Sequence, residues 1–235
     1  MNFNFEQGEI FLIDKPFRWT SFDVVNNLRG FLHSRLGIKK MKIGHTGTLD
    51  PLATGLLILC TGRFTKQIEQ FKDLDKEYTG TITLGATTPS FDLETEIDFS
   101  FPCDHITEEA IHSVSISLTG TYEQLPPVYS AVKIDGKRAY EYARRDQKVI
   151  IKPKVISVSA FEVTGIRMPH VDFRIVCSKG TYIRALARDF GKALNCGAHI
   201  TALCRTRIGQ YHLRDAWELE ELKKALLEGG VINEQ

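Results

Sequence analysis

Asp50 is the carboxylate in this chain whose neighbours best equip it for chemistry. It stands in Gly44-His45-Thr46-Gly47-Thr48-Leu49-Asp50-Pro51-Leu52-Ala53-Thr54-Gly55, twelve residues with three glycines, three threonines, one proline and a single carboxylate. Such a loop is shaped by its backbone, since glycine allows positive φ and close approach while proline fixes its own φ. Pro51 also restricts Asp50 to an extended conformation. A carboxylate on so stiff a stalk can serve as nucleophile or as general base. It can equally well do no more than start a turn, a common use of Asp before Pro. Both readings fit the residues.

Arg184 is the second candidate. It belongs to Ser178-Lys179-Gly180-Thr181-Tyr182-Ile183-Arg184, where a strand is expected to pass into a helix, so the arginine falls in the first helical turn. The helix dipole favours acids at that end. Either something anionic holds Arg184, or it is an ordinary surface arginine. Tyr78 follows Asp75-Lys76-Glu77 and begins an alternating run, where a tyrosine commonly packs as a core or interface aromatic.

The elements that must position these groups can be read from periodicity. Leu56-Leu57-Ile58-Leu59-Cys60 reads as a buried strand directly after the Asp50 loop, and Glu9 to Ile13 as an earlier one. Thr20-Ser21-Phe22-Asp23 has the form of a capping box and opens a helix through about Leu32, with Val24, Leu28 and Leu32 on its buried face. A short helix is expected over 65–71 and an alternating strand over 78–84. A helix carrying Ala110, Ile111, Val114 and Leu118 is stopped by Gly120. Strands follow at 128–133, 155–164 and 171–177, then an amphipathic helix over 181–194, a strand over 200–208 and a helix over 217–228. Strands and helices mix without regular βαβ alternation, which predicts an α+β fold in one domain, residues 1–235.

The motifs Gly44–Gly55 and Ser178–Arg184 resemble the signatures of the TruB family of tRNA pseudouridine synthases. Tyr129-Ser130-Ala131-Val132-Lys133, Gly136 to Arg144, and Cys196-Gly197-Ala198-His199 with Leu203-Cys204-Arg205 resemble further family segments. The resemblance runs from Asp14-Lys15-Pro16 to about Gln210. It implies the pseudouridine synthase fold, a long mixed β-sheet flanked by helices and loops with a central active cleft. It implies isomerisation of uridine-55 in the tRNA T-loop to pseudouridine after base flipping, without a cofactor or metal. Carried over by position, Asp50 is the catalytic residue. Tyr78 stacks on the target base, Tyr182 and Leu203 line the uridine pocket, Arg184 pairs with the catalytic Asp, and His45 contacts RNA where bases have been flipped. Cys204 departs from the family's usual Leu-Arg-Arg, so any phosphate contact from the middle arginine is lost. Asp92 sits roughly where the family has an acid, but Thr95 replaces the glycine of that pattern, so Asp92 receives no role. The C-terminal PUA domain common in the family is expected to be absent.

Composition permits an RNA partner without demanding one. The net charge of +1 hides segregation: Glu77 to Val132 contains nine acids and no Lys or Arg, while Arg29, Arg35, Lys39, Lys40 and Lys42 precede the Asp50 loop. A second basic run holds Lys133, Lys137, Arg138, Arg144, Arg145, Lys148, Lys152 and Lys154, diluted by Asp135, Glu141 and Asp146. Charge runs of this kind are solvated faces or phosphate-tracking surfaces. Five scattered cysteines without a C-x-x-C pair fit reduced thiols in a cytoplasmic protein and argue against a zinc site. No signal peptide is expected, since Met1 to Glu6 lacks a basic and then apolar run, and no apolar stretch nears the roughly 20 residues that span a bilayer. The expected partner is tRNA, bound by a monomer with no obligate protein partner and no membrane. The alternatives are a non-catalytic RNA-binding or tRNA-folding protein on the same scaffold, and a related synthase acting on another RNA.

Overall fold

The capping box at Thr20 forms as read: Asp23 N donates to Thr20 Oγ1 at 3.0 Å and Thr20 N donates to the Asp23 carboxylate at 2.8 Å. It starts helix α1 (Ser21–Leu36), which ends in a left-handed Gly37. The computed structural model describes all residues except 1, 6, 135, 144, 146, 148 and 232–235. Arg144 and Lys148 of the second basic run, and Asp135 and Asp146 within it, therefore lie outside the described residues.

Along the chain, β1 (Ile10–Lys15) precedes α1, and β2 (Ile43–Thr46) and β3 (Thr54–Thr61) follow it. A 3-10 stretch (Gly62–Gln67) leads into α2 (Ile68–Asp73) and then β4 (Lys76–Leu84). Next come α3 (Glu108–Ser117), β5 (Gly120–Gln124) and the short α4 (Ala139–Ala143). The long pair β6 (Lys154–Arg167) and β7 (His170–Cys177) is followed by α5 (Ile183–Ala193), β8 (Ala198–Ile208) and α6 (Leu219–Glu228). The class is α+β with mixed strand pairing. Among the described residues no helix is long and apolar enough to cross a membrane.

The chain divides into two compact units, residues 1–77 with 204–235 and residues 78–203. In the first, the strand order is β1-β3-β8 with β2 also on β3. β3 runs antiparallel to β1 and β2 and parallel to β8 at Thr54↔Cys204 and Gly55↔Arg205. Both faces of β3 are covered. Leu57 and Leu59 join α1 and α6 through Leu28, Leu32, Leu222 and Leu226, while Leu56, Ile58 and Cys60 meet Phe71 and Ile208. A strand buried on two faces reads as a continuous apolar run, which is why 56–60 lacks alternation.

In the second unit the order is β8-β4-β7-β6-β5. Its core lies where Ile82, Phe161, Phe173 and Ile175 meet Ile183, Leu186, Ala187 and Phe190 of α5. The strand expected over 128–133 does not form; only Lys133 and Ile134 pair, with Arg138 and Lys137. The ladder strand is instead β5, which pairs with β6 and ends at Gln124. Pro126 and Pro127 have no N–H to donate, so pairing stops before them. β5 itself escaped the sequence reading because its Gly-Thr-Tyr-Glu-Gln has little apolar alternation.

Candidate active site

The Asp50 loop is fixed through the main chain on each side of the acid. Ala53 N donates to Asp50 O at 3.1 Å, closing a turn with Pro51 in its second position. Asp50 therefore does start a turn, and the two readings of this residue are compatible. Leu49 N donates to Ser21 Oγ at 2.9 Å, and Ser21 is the buried first residue of α1. Pro51 O accepts from Arg18 N at 2.8 Å and from Lys15 Nζ at 3.3 Å.

Two buried cations stand beside this loop in the same unit. Lys15 is 0% exposed, and its ammonium also donates to Pro16 O at 2.9 Å and Trp19 O at 2.6 Å. Three carbonyls thus meet the three donors of an ammonium. Burial pushes Lys15 down to about 8, and the charge of nearby Asp50 opposes that shift. Arg205, 1% exposed, donates from Nε to Leu56 O at 2.8 Å and from Nη2 to Gly47 O at 3.0 Å. Its main chain passes so close to Gly55, at φ +101°, that a Cβ there would strike the Arg205 carbonyl. His45 lies in β2, where burial and the charges of Arg205 and Lys72 lower its pKa and keep the imidazole neutral. Among the described residues its buried Nδ1 finds no hydrogen-bond partner.

Tyr78, Tyr182, Arg184 and Leu203 belong to the second unit. Tyr78 and Leu203 are half-buried against its apolar core. Arg184, in the first turn of α5, is buried at 4% exposure. Its Nη1 donates to Ser90 O and its Nη2 to Tyr129 O, both at 2.9 Å, and its Nε lies 3.5 Å from Asp92 Oδ2. The anion that holds this arginine within its unit is Asp92, the acid the sequence reading set aside.

Asp92 is itself built in. Ser90 Oγ donates to its carboxylate at 2.6 Å, Glu94 N does so at 2.9 Å, and Thr88 Oγ1 donates to its carbonyl at 2.6 Å. Thr95, the residue that cast doubt on this turn, closes it: its Oγ1 accepts from Ser90 N at 3.1 Å and lies 2.8 Å from Ser90 Oγ. Phe91 holds a left-handed φ of 61°, which is costly for a bulky L-residue. Ile200 N donates to its carbonyl at 2.9 Å and the Arg188 guanidinium lies 5.3 Å from its ring. The signal that could have found Asp92 was its place after Thr88-Pro89-Ser90-Phe91, an acid in a hydroxyl-rich turn.

Arg35, Lys39, Lys40 and Lys42 are exposed in the first unit, and Lys133, Lys137, Arg138, Arg145, Lys152 and Lys154 in the second. Cys204 is half-buried; burial raises its thiol pKa, and a hydrogen bond with the Thr54 side chain opposes the rise. All five cysteines are free thiols. Among the described residues no group of three or more His, Cys, Asp or Glu side chains could hold a metal ion.

The chain is similar to known proteins along most of its length. Residues 34–183 match a family described as TruB family pseudouridylate synthase (N terminal domain), and residues 184–234 match tRNA pseudouridylate synthase B C-terminal domain. A protein of Phocaeicola vulgatus named tRNA pseudouridine synthase B is 52% identical over 223 residues, 95% of this chain and 95% of the relative. One of the same name from Flavobacterium johnsoniae is 52% identical over 221 residues, 94% of this chain and 96% of its own length. Among solved structures, one described as a Cbf5-Nop10-Gar1 complex aligns with a TM-score of 0.70 and 27% identity over 94% of this chain. The chain spans 55% of that larger polypeptide.

Proposed function

We propose that this chain, which belongs to the TruB family of pseudouridylate synthases, converts uridine-55 in the T-loop of tRNA to pseudouridine. It acts as a cytoplasmic monomer, with residues 1–235 serving as one catalytic domain. The N1–C1′ bond breaks, the base turns, and C5 bonds to C1′. C5 gives up its proton and N1 gains one, so the product is an isomer and no oxidant, reductant or hydrolytic water is consumed.

The observation that carries this reading is the mounting of Asp50. Buried Ser21 and Lys15, with the Arg18 main chain, hold the residues on either side of a half-buried acid, in a loop whose Gly47 and Gly55 take positive φ. Fixing the main chain is how a protein holds a catalytic group within the tight tolerances chemistry needs. The Asp50 carboxylate acts on the nucleoside, at the sugar or the base. Tyr78 offers a ring on which the flipped uracil stacks, an interaction of about 1–3 kcal/mol that offsets part of the few kcal/mol needed to unstack it. Tyr182 and Leu203 line the pocket. Arg184, whose guanidinium is anchored by Asp92, is the substrate-binding arginine of the site. The neutral His45 imidazole, with a buried nitrogen lacking a partner among the described residues, is suited to hydrogen-bond RNA.

One assay tests the proposal. Purified protein is incubated with unmodified tRNA transcript and pseudouridine is mapped by nucleotide. Product at position 55 is expected. No product, with tRNA still bound, supports a non-catalytic RNA-binding protein instead, and product outside the T-loop supports a synthase for another site.

A further inference from the structure

Gln124 is an internal polar side chain with a specific assignment. It is 1% exposed at the end of β5. Its Nε2 donates to Tyr182 O at 3.1 Å, and its Oε1 accepts from Tyr182 N at 2.9 Å. A carboxamide has a donor and an acceptor in one plane, and here both are spent on the N–H and C=O of a single residue. The side chain thus pairs with Tyr182 as a neighbouring strand would.

Tyr182 needs such a partner. It is the residue before the first turn of α5, with an extended φ of −98° and ψ of 110°, and no side chain caps the helix there. Its carbonyl also accepts from Leu186 N at 3.1 Å, the first bond of the helix. Without Gln124 the part-buried Tyr182 N–H and C=O would lose this paired partner, and with it the restraint it puts on the φ and ψ that aim the Tyr182 side chain. The segment after Gln124 is tied to the same helix. Arg188 Nη1 donates to Leu125 O at 3.0 Å and Arg184 Nη2 to Tyr129 O at 2.9 Å. Residues 124, 125 and 129 therefore engage residues 182, 188 and 184, and Pro126 and Pro127 stiffen the stretch between them.

We propose that Gln124 is a positioning residue for pseudouridine formation, its side-chain amide setting the direction in which Tyr182 meets the uridine and the start of the turn that carries Arg184. This rests on the reading of Tyr182 as a pocket residue. Gln124 touches no reacting atom and acts through Tyr182.

The distinguishing variant is Gln124→Glu. An ionised carboxylate accepts from Tyr182 N but sets a second oxygen against Tyr182 O, whereas the protonated acid can donate to that carbonyl and restore both bonds. Burial favours the protonated form as pH falls. Single-turnover rates on an unmodified T-arm stem-loop are compared with wild type at pH 8 and pH 5.5, with the binding constant for the same RNA measured alongside. At pH 8 the Glu variant is expected to react at least about tenfold more slowly than wild type, with RNA affinity within about twofold. At pH 5.5 it recovers most of that deficit, while Gln124→Met remains slow at both values. Rates for both variants within twofold of wild type overturn the proposal. So does a Glu deficit that ignores pH, since lost packing alone would behave that way.

A second readout is independent of turnover. With 3-fluorotyrosine at position 182, the 19F resonance is expected to be single and sharp in the wild type and broadened or split in Gln124→Met. An unchanged line overturns the proposal. Wild-type protein that forms no pseudouridine overturns the catalytic reading instead, and the fluorine spectrum still decides whether Gln124 holds Tyr182.

Discussion

The supports around Asp50 and around Arg184 reach different parts of the residue. Near Asp50 they grip main chain: Ser21 on Leu49, Lys15 and Arg18 on Pro51, Arg205 on Gly47. Near Arg184 they grip the guanidinium itself, through Ser90 O, Tyr129 O and Asp92. A side chain aimed by its flanks can be altered with little effect on the frame that carries it. A side chain whose charged end is built into its surroundings is both a functional group and a structural tie. The bonds described around Asp50 thus fix the main chain on each side of the acid, whereas those around Arg184 fix its charged group.

The largest expected effect breaks chemistry alone. Asp50→Asn is predicted to slow pseudouridine formation at least about a thousandfold, with tRNA affinity and thermal midpoint close to wild type. A near-normal rate would remove Asp50 from the reaction, and a large drop in the midpoint would end the contrast between the two mountings.

Changes at the arginine and its partner should cost both properties. Arg184→Lys replaces a guanidinium fork with a point charge. It is predicted to lose about a hundredfold in rate, while Asp92→Asn, which removes one charge of the buried pair, is predicted to destabilise the fold by about 3–5 kcal/mol. Denaturant midpoints check this. If Asp92→Asn unfolds like wild type, the pair is not a structural tie.

Lys15 gives a pH test of the first mounting. Its ordinary value is near 10.5 and burial in the fold brings it to about 8, so between those values the unfolded chain binds more protons than the folded one. The contribution of Lys15 to stability therefore rises with pH across that window. Urea midpoints of wild type and Lys15→Met, compared at pH 7.5 and 10, should separate in favour of wild type at the higher pH. A constant separation would show that Lys15 does not titrate there. The smallest effect is expected at Cys204, a half-buried thiol that hydrogen-bonds with the Thr54 side chain. Cys204→Ser should leave turnover within about twofold, and a larger loss would give this position a part in the first mounting.

Much of the frame was legible because its physics is local. The Thr20 capping box, the apolar run of β3, the alternation in β7 and the helical spacing of α5 each depend on residues a few positions apart. β5 was missed, and a strand was expected instead over 128–133, because pairing with β6 stabilises a segment whose own pattern is weak. At the candidate site, the oddness of an arginine in a first helical turn was visible and its partner was not. Asp92 precedes Arg184 by ninety-two positions, and the turn that presents it uses Thr95 where the family pattern has glycine.

By itself the sequence determined the family, since the order of residues around Asp50 and Arg184 survives without any knowledge of contacts. It also determined the main helices and the buried strand, whose periodicities lie within single segments. Only the tertiary structure decided which charges are buried and what compensates them. Lys15 is held by three carbonyls, Arg184 by Asp92, and Tyr182 by the amide of Gln124. The reason is physical: a buried polar group must find its partner wherever the fold brings one, and sequence spacing carries no record of that distance.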